Sequence, residues 1–171
     1  MYSQITFDKE AHPQGLLVHQ NLKLKTGKPK IRLRKMIKKV NHIAVVVPDL
    51  DEAMHFWVDA LGLELSNKEH VASQAVDVAF LPVGDSKIEL LQPTDNESGV
   101  ARYLAKKGPG MHHICFEVDD IEAVLTKLKK EDVQLINEVP TVGSDGRKFA
   151  FIHPKSASGV LVELYELATE Q

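Results

Sequence analysis

An internal repeat is the feature of this sequence that most constrains its fold. The segment NHIAVVVPDLDEA at 41–53 and the segment HHICFEVDDIEA at 112–123 carry histidine, apolar and acidic residues in the same order. In the alignment of the two segments, His42 falls on His113 and Val47 falls on Val118. A repeat of this kind predicts two similar modules that share one domain.

Each copy of the repeat is predicted to form a strand followed by a helix. The apolar runs at 42–47 and 113–118 are typical of strands, and Asp49 and Asp119 are predicted to cap the helices that follow. Further strand-like runs come after each helix: AVDVAFLPVG and SKIELLQP in the first copy, RKFAFIHP and GVLVELYE in the second. The order strand, helix, several strands therefore occurs twice, and the predicted fold class is α+β.

The predicted domain begins after a basic extension. The segment NLKLKTGKPKIRLRKMIKK, within 21–39, carries nine lysines and arginines and no acidic residue. We predict a poorly ordered extension at 1–37, because chain termini are often poorly ordered. A targeting or nucleic-acid-binding tail is the alternative. The domain is predicted at 38–168, with modules at 38–95 and 109–168 that a short helix at 97–108 links.

The composition excludes several functional classes. The 171 residues have a formal net charge of -3, so no overall positive field attracts nucleic acid. The single cysteine, Cys115, rules out a disulfide framework and is typical of a reducing compartment. No apolar run approaches the roughly 18 residues of a membrane span. We therefore expect a cytoplasmic protein with neither a nucleic-acid nor a membrane partner.

Each module offers one histidine and one glutamate at nearly the same spacing. The runs KIELL and LVELY align, so Glu89 matches Glu163; 47 residues separate His42 from Glu89, and 50 separate His113 from Glu163. An ionised glutamate in an apolar strand is costly unless a cation accompanies it. Two imidazoles and two carboxylates are typical ligands of a divalent transition metal. The alternative is that both histidines are structural and both glutamates face solvent.

The segments NHIAVVVPDLDEAMHFW, DVAFLPVGDSKIELLQP, GMHHICFEVDDIEAVL and HPKSASGVLVELYE resemble the methylmalonyl-CoA epimerase family of the vicinal oxygen chelate, or glyoxalase, superfamily. The resemblance covers about residues 38–167. It implies two paired βαβββ modules in one domain, a small-molecule acyl-CoA substrate and a homodimer. It also implies one divalent metal ion per chain, zinc, cobalt, manganese or nickel, with the ligands His42, Glu89, His113 and Glu163. At the position of Glu89 some members of the family carry glutamine.

The activity that this resemblance implies is the interconversion of (R)- and (S)-methylmalonyl-CoA by proton transfer through a metal-stabilised enolate. Two acid/base groups are needed, one on each side of the planar enolate. The family places Glu163 in one of these roles. Asp77 is the candidate for the other, and an alternating strand puts it on one face with Ala79 and Leu81.

Other polar residues are candidates for supporting roles in this reaction. Glu69 and Gln74 are the alternatives to Asp77 as the second acid/base position. Lys155 and Ser156, in the segment HPKS, are candidates for binding the CoA phosphates or the substrate carboxylate. A solvated lysine in a loop is the alternative for Lys155.

Three other functions are compatible with the pattern. A glyoxalase I-type lactoylglutathione lyase has the same fold and ligands, but the first strand, HIAVVV, lacks the basic residue that glyoxalases resembling this chain usually place there. An iron(II) extradiol dioxygenase uses two histidines and one carboxylate, and Glu89 would crowd its oxygen site. A non-catalytic small-molecule binding protein of this fold tends to lose the metal ligands, all four of which are present here.

Overall fold

The structure is a computed structural model that describes residues 36–143 and 146–167. Residues 1–35 of the extension predicted at 1–37 therefore lie outside the described residues. The described residues form three helices, α1 (Leu50–Met54), α2 (Gly99–Lys107) and α3 (Ile121–Lys130). They also form eight strands: β1 (Ile37–Val46), β2 (Asn67–Val71), β3 (Val76–Val83), β4 (Ser86–Pro93), β5 (Gly110–Val118), β6 (Thr141–Val142), β7 (Lys148–Ile152) and β8 (Leu161–Glu166).

All eight strands belong to one sheet, whose order has internal symmetry. The order is β2-β3-β4-β1-β5-β8-β7-β6, so the two halves meet where β1 pairs with β5 in antiparallel fashion. Within each half, the first strand pairs in parallel with the last strand of the same half, β1 with β4 and β5 with β8. The predicted α+β fold of two βαβββ modules is confirmed.

The helices α1 and α3 cover one face of the sheet. Leu90 of β4 belongs to the apolar cluster that contains Leu50 of α1, and Leu164 of β8 belongs to the cluster that contains Leu125 of α3. Complete burial of one such leucine side chain contributes about 1.5–3 kcal/mol. Because neighbouring residues of a strand point to opposite faces, Glu89 and Glu163 lie on the other face.

Aspartates begin both of these helices, although one of them differs from the prediction. Asp49 Oδ1 accepts a hydrogen bond of 2.8 Å from the backbone N–H of Glu52, as predicted. The second cap is Asp120, whose Oδ1 accepts from the N–H of Ala123 at 2.9 Å, so the prediction of Asp119 is wrong. The repeat keeps one constant offset, which places Asp49 on Asp120 and removes the need for a one-residue slip. Asp119 forms an ion pair with Lys38 instead.

The remaining helical segments are short. Helix α1 continues as a π-helical segment, His55–Ala60. Helix α2, which links the two modules, begins at Ser98, whose Oγ accepts from the N–H of Ala101. Among the described residues, no helix is long and apolar enough to span a bilayer.

Candidate metal centre

The four predicted ligands come from the four central strands of the sheet. His42 lies on β1 and His113 on β5, the two strands that join the modules. Glu89 of β4 is paired with Ala44, and Glu163 of β8 is paired with Cys115. Each glutamate therefore lies beside the residue two positions after its own module's histidine. Since residues two apart share a face of a strand, each module presents its histidine and its glutamate on the same face.

Three of the four side chains converge closely. Nε2 of His42 lies 3.0 Å from Nε2 of His113. Oε2 of Glu163 lies 3.2 Å from the first nitrogen and 3.0 Å from the second. The exposed fractions of these residues are 6% for His42, 7% for His113 and 8% for Glu163. We call these three donor atoms the ligand triangle.

Glu89 lies at the edge of the ligand triangle and has a different partner. Its Oε1 is 3.1 Å from Nζ of Lys87 and 3.4 Å from Nδ1 of His42, on the far side of that imidazole from Nε2. The ammonium of Lys87 also lies over the ring of Phe80, 5.0 Å from its centroid. The structure thus brings Glu89 next to the cluster, with its charge compensated by a lysine.

The electrostatics of the site keep Glu163 ionised. Burial alone would raise the pKa of its carboxyl group, because it penalises the charged form. Hydrogen bonds and charge interactions with His113 and His42 outweigh that effect and lower the pKa to about 2. At neutral pH the group is therefore a carboxylate, which accepts hydrogen bonds and binds cations.

The ligand triangle fits a divalent transition metal. Bonds of about 2.1 Å to imidazole and carboxylate donors place two donors about 3.0 Å apart at a right angle and about 3.4 Å apart at the tetrahedral angle. The three observed separations, 3.0, 3.0 and 3.2 Å, fall in this range. A cation bound at this point would replace the protons that the two imidazoles share with Glu163; without either, two nitrogen lone pairs and a carboxylate would repel each other. Nitrogen and oxygen donors suit zinc, cobalt, manganese and nickel.

Cys115 is a neighbour of this site that sequence reasoning did not assign to it. One donor atom each from His42, Cys115 and Glu163 lies within 4.8 Å of the others. Burial, together with the nearby carboxylates of Glu163 and Glu89, raises the pKa of the Cys115 thiol. Since the thiolate is the form that binds metals, His113 is the better third ligand.

Aromatic side chains also surround the site, and no periodic pattern in the sequence identifies them. The ring of Phe151 meets the ring of His113 edge to face at a centroid distance of 5.8 Å. The ring of His112 lies between His113 and Tyr103, at centroid distances of 5.1 and 4.9 Å. Burial lowers the pKa of His112 to about 4, so this imidazole is neutral at pH 7.

The structure does not bring Asp77 to the ligand triangle. Asp77 pairs with Gln92, whereas Phe80, three residues later on β3, pairs with Glu89. An odd separation along a strand reverses the face, so Asp77 points away from Glu89. Its Oδ1 lies 2.7 Å from Nδ1 of His70, and its side chain is 41% exposed.

The residues considered for the second acid/base role line two surface cavities. A cavity of about 350 Å³ is lined by Asp77, Glu69 and His70. A second cavity, of about 500 Å³, is lined by Gln74 and His112 and by the start of α2. The second cavity therefore reaches the side chain that touches His113.

Lys155 and Ser156 lie in a short 3₁₀ turn, Pro154–Ser156, between β7 and β8. Both residues are exposed. The hydroxyl of Ser156 accepts a hydrogen bond of 2.9 Å from the backbone N–H of Gln134, which leaves Lys155 as the charged group that this turn presents to solvent.

Comparisons with known proteins agree with this architecture. The Glyoxalase/Bleomycin resistance protein/Dioxygenase superfamily matches residues 41–151. Human mitochondrial methylmalonyl-CoA epimerase is 42% identical over 127 residues, which are 74% of this chain and 72% of the human protein. The crystal structure of methylmalonyl-CoA epimerase from Mycobacterium tuberculosis has a TM-score of 0.71 and 35% identity, covering 78% of this chain and 90% of that one.

A structure with a bound ligand is also similar. A variant of Streptomyces coelicolor methylmalonyl-CoA epimerase, in complex with 2-nitronate-propionyl-CoA, has a TM-score of 0.69 and 34% identity. The alignment covers 78% of this chain and 99% of that one. These comparisons confirm the resemblance that the sequence motifs indicate.

Proposed function

Because this chain belongs to the Glyoxalase/Bleomycin resistance protein/Dioxygenase superfamily, we propose that it is a metal-dependent epimerase of a malonyl-type acyl-CoA, with methylmalonyl-CoA as the substrate. The observation that carries the proposal is the convergence of His42 and His113, one from each module, with the carboxylate of Glu163. The activities of the similar proteins support the choice of substrate, since fold alone does not define it.

The proposed ligands of one divalent ion per chain are His42, His113, Glu163 and Glu89. When bound, the ion would act as a Lewis acid towards the thioester carbonyl of the substrate. His42 and His113 supply the two nitrogen donors, and Glu163 supplies a negative charge within 3.2 Å of both. Glu89, which Lys87 holds at the edge of the triangle, is the proposed fourth ligand, and its carboxylate would have to turn from Nδ1 of His42 to reach the ion.

We propose that Glu163 also transfers a proton. In the reaction the C–H bond at the carbon between thioester and carboxylate breaks, its electron pair moves into the thioester carbonyl, and its proton passes to a carboxylate. A proton is then returned to the opposite side of the same carbon, so the configuration is inverted without net oxidation. Glu163 is ionised and lies in the ligand triangle, so it is in the form and the place needed to accept a proton from a substrate bound at the ion.

The second proton has to come from another group on the opposite side of the substrate. The sequence predicts Asp77 for this role, but its side chain lies on the other face of the sheet from Glu89. We therefore do not assign the second transfer to Asp77. The cavity of about 500 Å³ beside His112 is the proposed approach for the acyl group, because it reaches the imidazole that contacts His113.

The remaining proposals concern the CoA moiety and the assembly. Lys155 is exposed next to the end of β7, so it is available to bind a CoA phosphate, with Ser156 as its neighbour. We also propose a homodimer whose functional domain spans residues 38–168, with the two modules at 38–95 and 109–168. Size-exclusion chromatography with light scattering tests the dimer.

An isotope-exchange experiment tests the proposed activity. Methylmalonyl-CoA is incubated with the full chain in D2O, and NMR follows the loss of the proton on the carbon between the two carbonyl groups, with and without a chelator. We expect rapid exchange that the chelator abolishes and that added divalent metal restores. Absence of exchange in the metal-loaded protein would contradict the proposal, and turnover of the methylglyoxal–glutathione adduct instead would favour a glyoxalase.

A further inference from the structure

The pairing of the two strands that join the modules shifts register at three places, and two of these shifts are matched bulges. In the pairing of β1 with β5, Val40 is opposite Phe116 and His42 is opposite Cys115, so Asn41 is an extra residue on β1. A β-bulge leaves one residue without a partner and redirects side chains near it, often beside active sites. Asn41 directly precedes the first proposed ligand histidine.

The second bulge is on the other strand. Ala44 is opposite His113 and Val45 is opposite Met111, so His112 is the extra residue on β5. His112 directly precedes the second proposed ligand histidine. The two bulged residues thus hold equivalent places in the two modules.

The side chain of Asn41 has one orientation that satisfies its neighbours. Its Nδ2 donates to Oε2 of Glu117 at 3.4 Å, and a carboxylate there can only accept. Glu117 is 5% exposed, and its carboxylate forms an ion pair with Lys38 at 3.2 Å. The amide oxygen of Asn41 therefore faces Nδ1 of His42, at 3.0 Å, and requires that nitrogen to donate.

A second acceptor near His42 supports the same proton position. Oε1 of Glu89 lies 3.4 Å from Nδ1 of His42. Both oxygens near this nitrogen are acceptors, so the proton of the neutral ring belongs on Nδ1. Since a neutral imidazole carries one N–H, Nε2 of His42 then presents its lone pair to the ligand triangle.

His112 contacts the corresponding nitrogen of His113. The two Nδ1 atoms are 2.8 Å apart, and Nε2 of His113 lies 3.0 Å from Oε2 of Glu163 in the ligand triangle. If Nδ1 of His113 donates to His112, Nε2 of His113 is free to bind a cation. Histidines that bind metals almost always donate their other N–H to an acceptor, and removal of that acceptor typically costs 10–100-fold in affinity.

We infer that Asn41 and His112 are matched positioning residues, each of which accepts the Nδ1 proton of the histidine that follows it and so directs Nε2 into the ligand triangle. The inference rests on the proposed metal site. It assigns the two bulges to the orientation of the two imidazoles, and it assigns Glu117 and Lys38 to the orientation of the Asn41 amide.

The first part of the test uses the metal-free full chain. Long-range ¹H–¹⁵N NMR spectra of labelled histidine rings report which nitrogen carries the proton. We expect Nδ1 of His42 and Nδ1 of His113 both to carry a proton in the wild type, whether or not Nε2 carries one as well. Asn41→Ala together with Glu89→Leu, which removes the second acceptor, should shift the tautomer of His42 and leave that of His113 in place. His112→Phe should do the reverse, and Glu89→Leu alone should change neither ring. Met111→Ala, at the neighbouring exposed position, is the matched control and should change neither ring.

The second part measures Zn²⁺ affinity by calorimetric competition with a chelator. Asn41→Ala and His112→Phe should each weaken binding by about 10–100-fold. Asn41→Asp combined with Glu117→Gln, which keeps an acceptor oxygen for His42 and a donor–acceptor contact between positions 41 and 117, should restore most of the affinity. Backbone NMR spectra verify that each variant is folded. Zn²⁺ affinity within about twofold of wild type in both Asn41→Ala and His112→Phe would overturn the inference.

The two parts separate this inference from the proposed function. If Nδ1 of each wild-type ring carries a proton and the rings respond to the substitutions as stated, but the chain binds no Zn²⁺, the positioning role stands and the metal site fails. If Nδ1 of either wild-type ring carries no proton, the positioning role is wrong whatever the metal affinity.

Discussion

The two modules share one set of strand pairings and differ in how they use it. Each pairs its glutamate with the residue two positions after its own histidine, Ala44 in the first module and Cys115 in the second. Opposite the histidine itself, the first module has Lys87 and the second has Leu161. Lys87 forms an ion pair with Glu89, whereas Leu161 offers Glu163 no charge.

The shared strand pairing places the two glutamates at equivalent positions, and a single neighbouring residue determines the charge environment of each carboxylate. Within the described part of the chain, the carboxylate of Glu163 contacts the imidazoles of His42 and His113 and the thiol of Cys115, and it enters the ligand triangle. Glu89 has the ammonium of Lys87 as its nearest partner. One of the two negative charges of the site is thereby offset, which moderates the attraction for a cation.

The largest expected difference between the two modules is tested by removing the two carboxylate charges separately. Glu163→Gln should lower the rate of proton exchange on methylmalonyl-CoA by about 10²–10⁴-fold, the usual contribution of an acid/base group. Glu89→Gln is the matched control and should cost less, because Lys87 already offsets that charge. Equal losses in the two variants, measured by NMR in D2O, would mean that the modules contribute equally.

The two histidines should contribute equally to metal binding, in contrast to the two glutamates. His42→Ala and His113→Ala each remove one nitrogen of a 3.0 Å pair. We expect each to weaken Zn²⁺ binding by more than about 100-fold, beyond the range that outer-shell partners reach. Titration calorimetry on the full chain checks this expectation. A variant of either histidine that binds Zn²⁺ like the wild type would show that one module suffices.

Making the first module resemble the second should strengthen metal binding. Lys87→Leu copies the residue at the equivalent position and frees Glu89 from its ion pair. We expect Zn²⁺ to bind about 3–10-fold more tightly, a modest gain because the lysine side chain is 33% exposed. The same substitution in a Glu89→Gln background should have almost no effect. A gain that persists there would assign it to something other than this ion pair.

The smallest effect is expected at the cysteine. Cys115→Ala copies Ala44, the residue at the equivalent position of the first module. Because burial keeps the thiol protonated, we expect Zn²⁺ affinity to stay within about twofold of wild type. The free energy of unfolding should fall by about 1 kcal/mol, the usual cost of a buried substitution. A large loss of Zn²⁺ affinity would identify Cys115 as a ligand.

The repeat predicted the modules and the four site residues because both depend on simple periodicities. Side chains alternate between the two faces of a strand, and one face of this sheet is covered by helices. The alternation therefore determines which side chains share the other face. Thus His113, and not its neighbour His112, is the counterpart of His42. The strands β3, β4, β7 and β8 lie within the apolar runs that the sequence shows. The polar edge strand NKEHV, at 67–71, has no such pattern and was not predicted.

Two features of the site depended on information that a periodic pattern does not contain. Alternation correctly predicts that Asp77 shares a face of β3 with Ala79 and Leu81. Helix α1 covers that face, because Leu81 is buried in the same cluster as Leu50. The pattern alone did not tell which face is the site. The contacts of Asn41 and His112 depend on bulges, which change the alternation at one residue and leave no mark in composition.

The central claim, that both modules hold one ion between them, is tested most directly by anomalous diffraction. Crystals of the full chain grown with cobalt or zinc are measured at the absorption edge of the metal. The account predicts one peak per chain, about 2.0–2.2 Å from Nε2 of His42, Nε2 of His113 and a carboxylate oxygen of Glu163. A metal-loaded crystal in which the peak lies elsewhere, or contacts the residues of only one module, would contradict it.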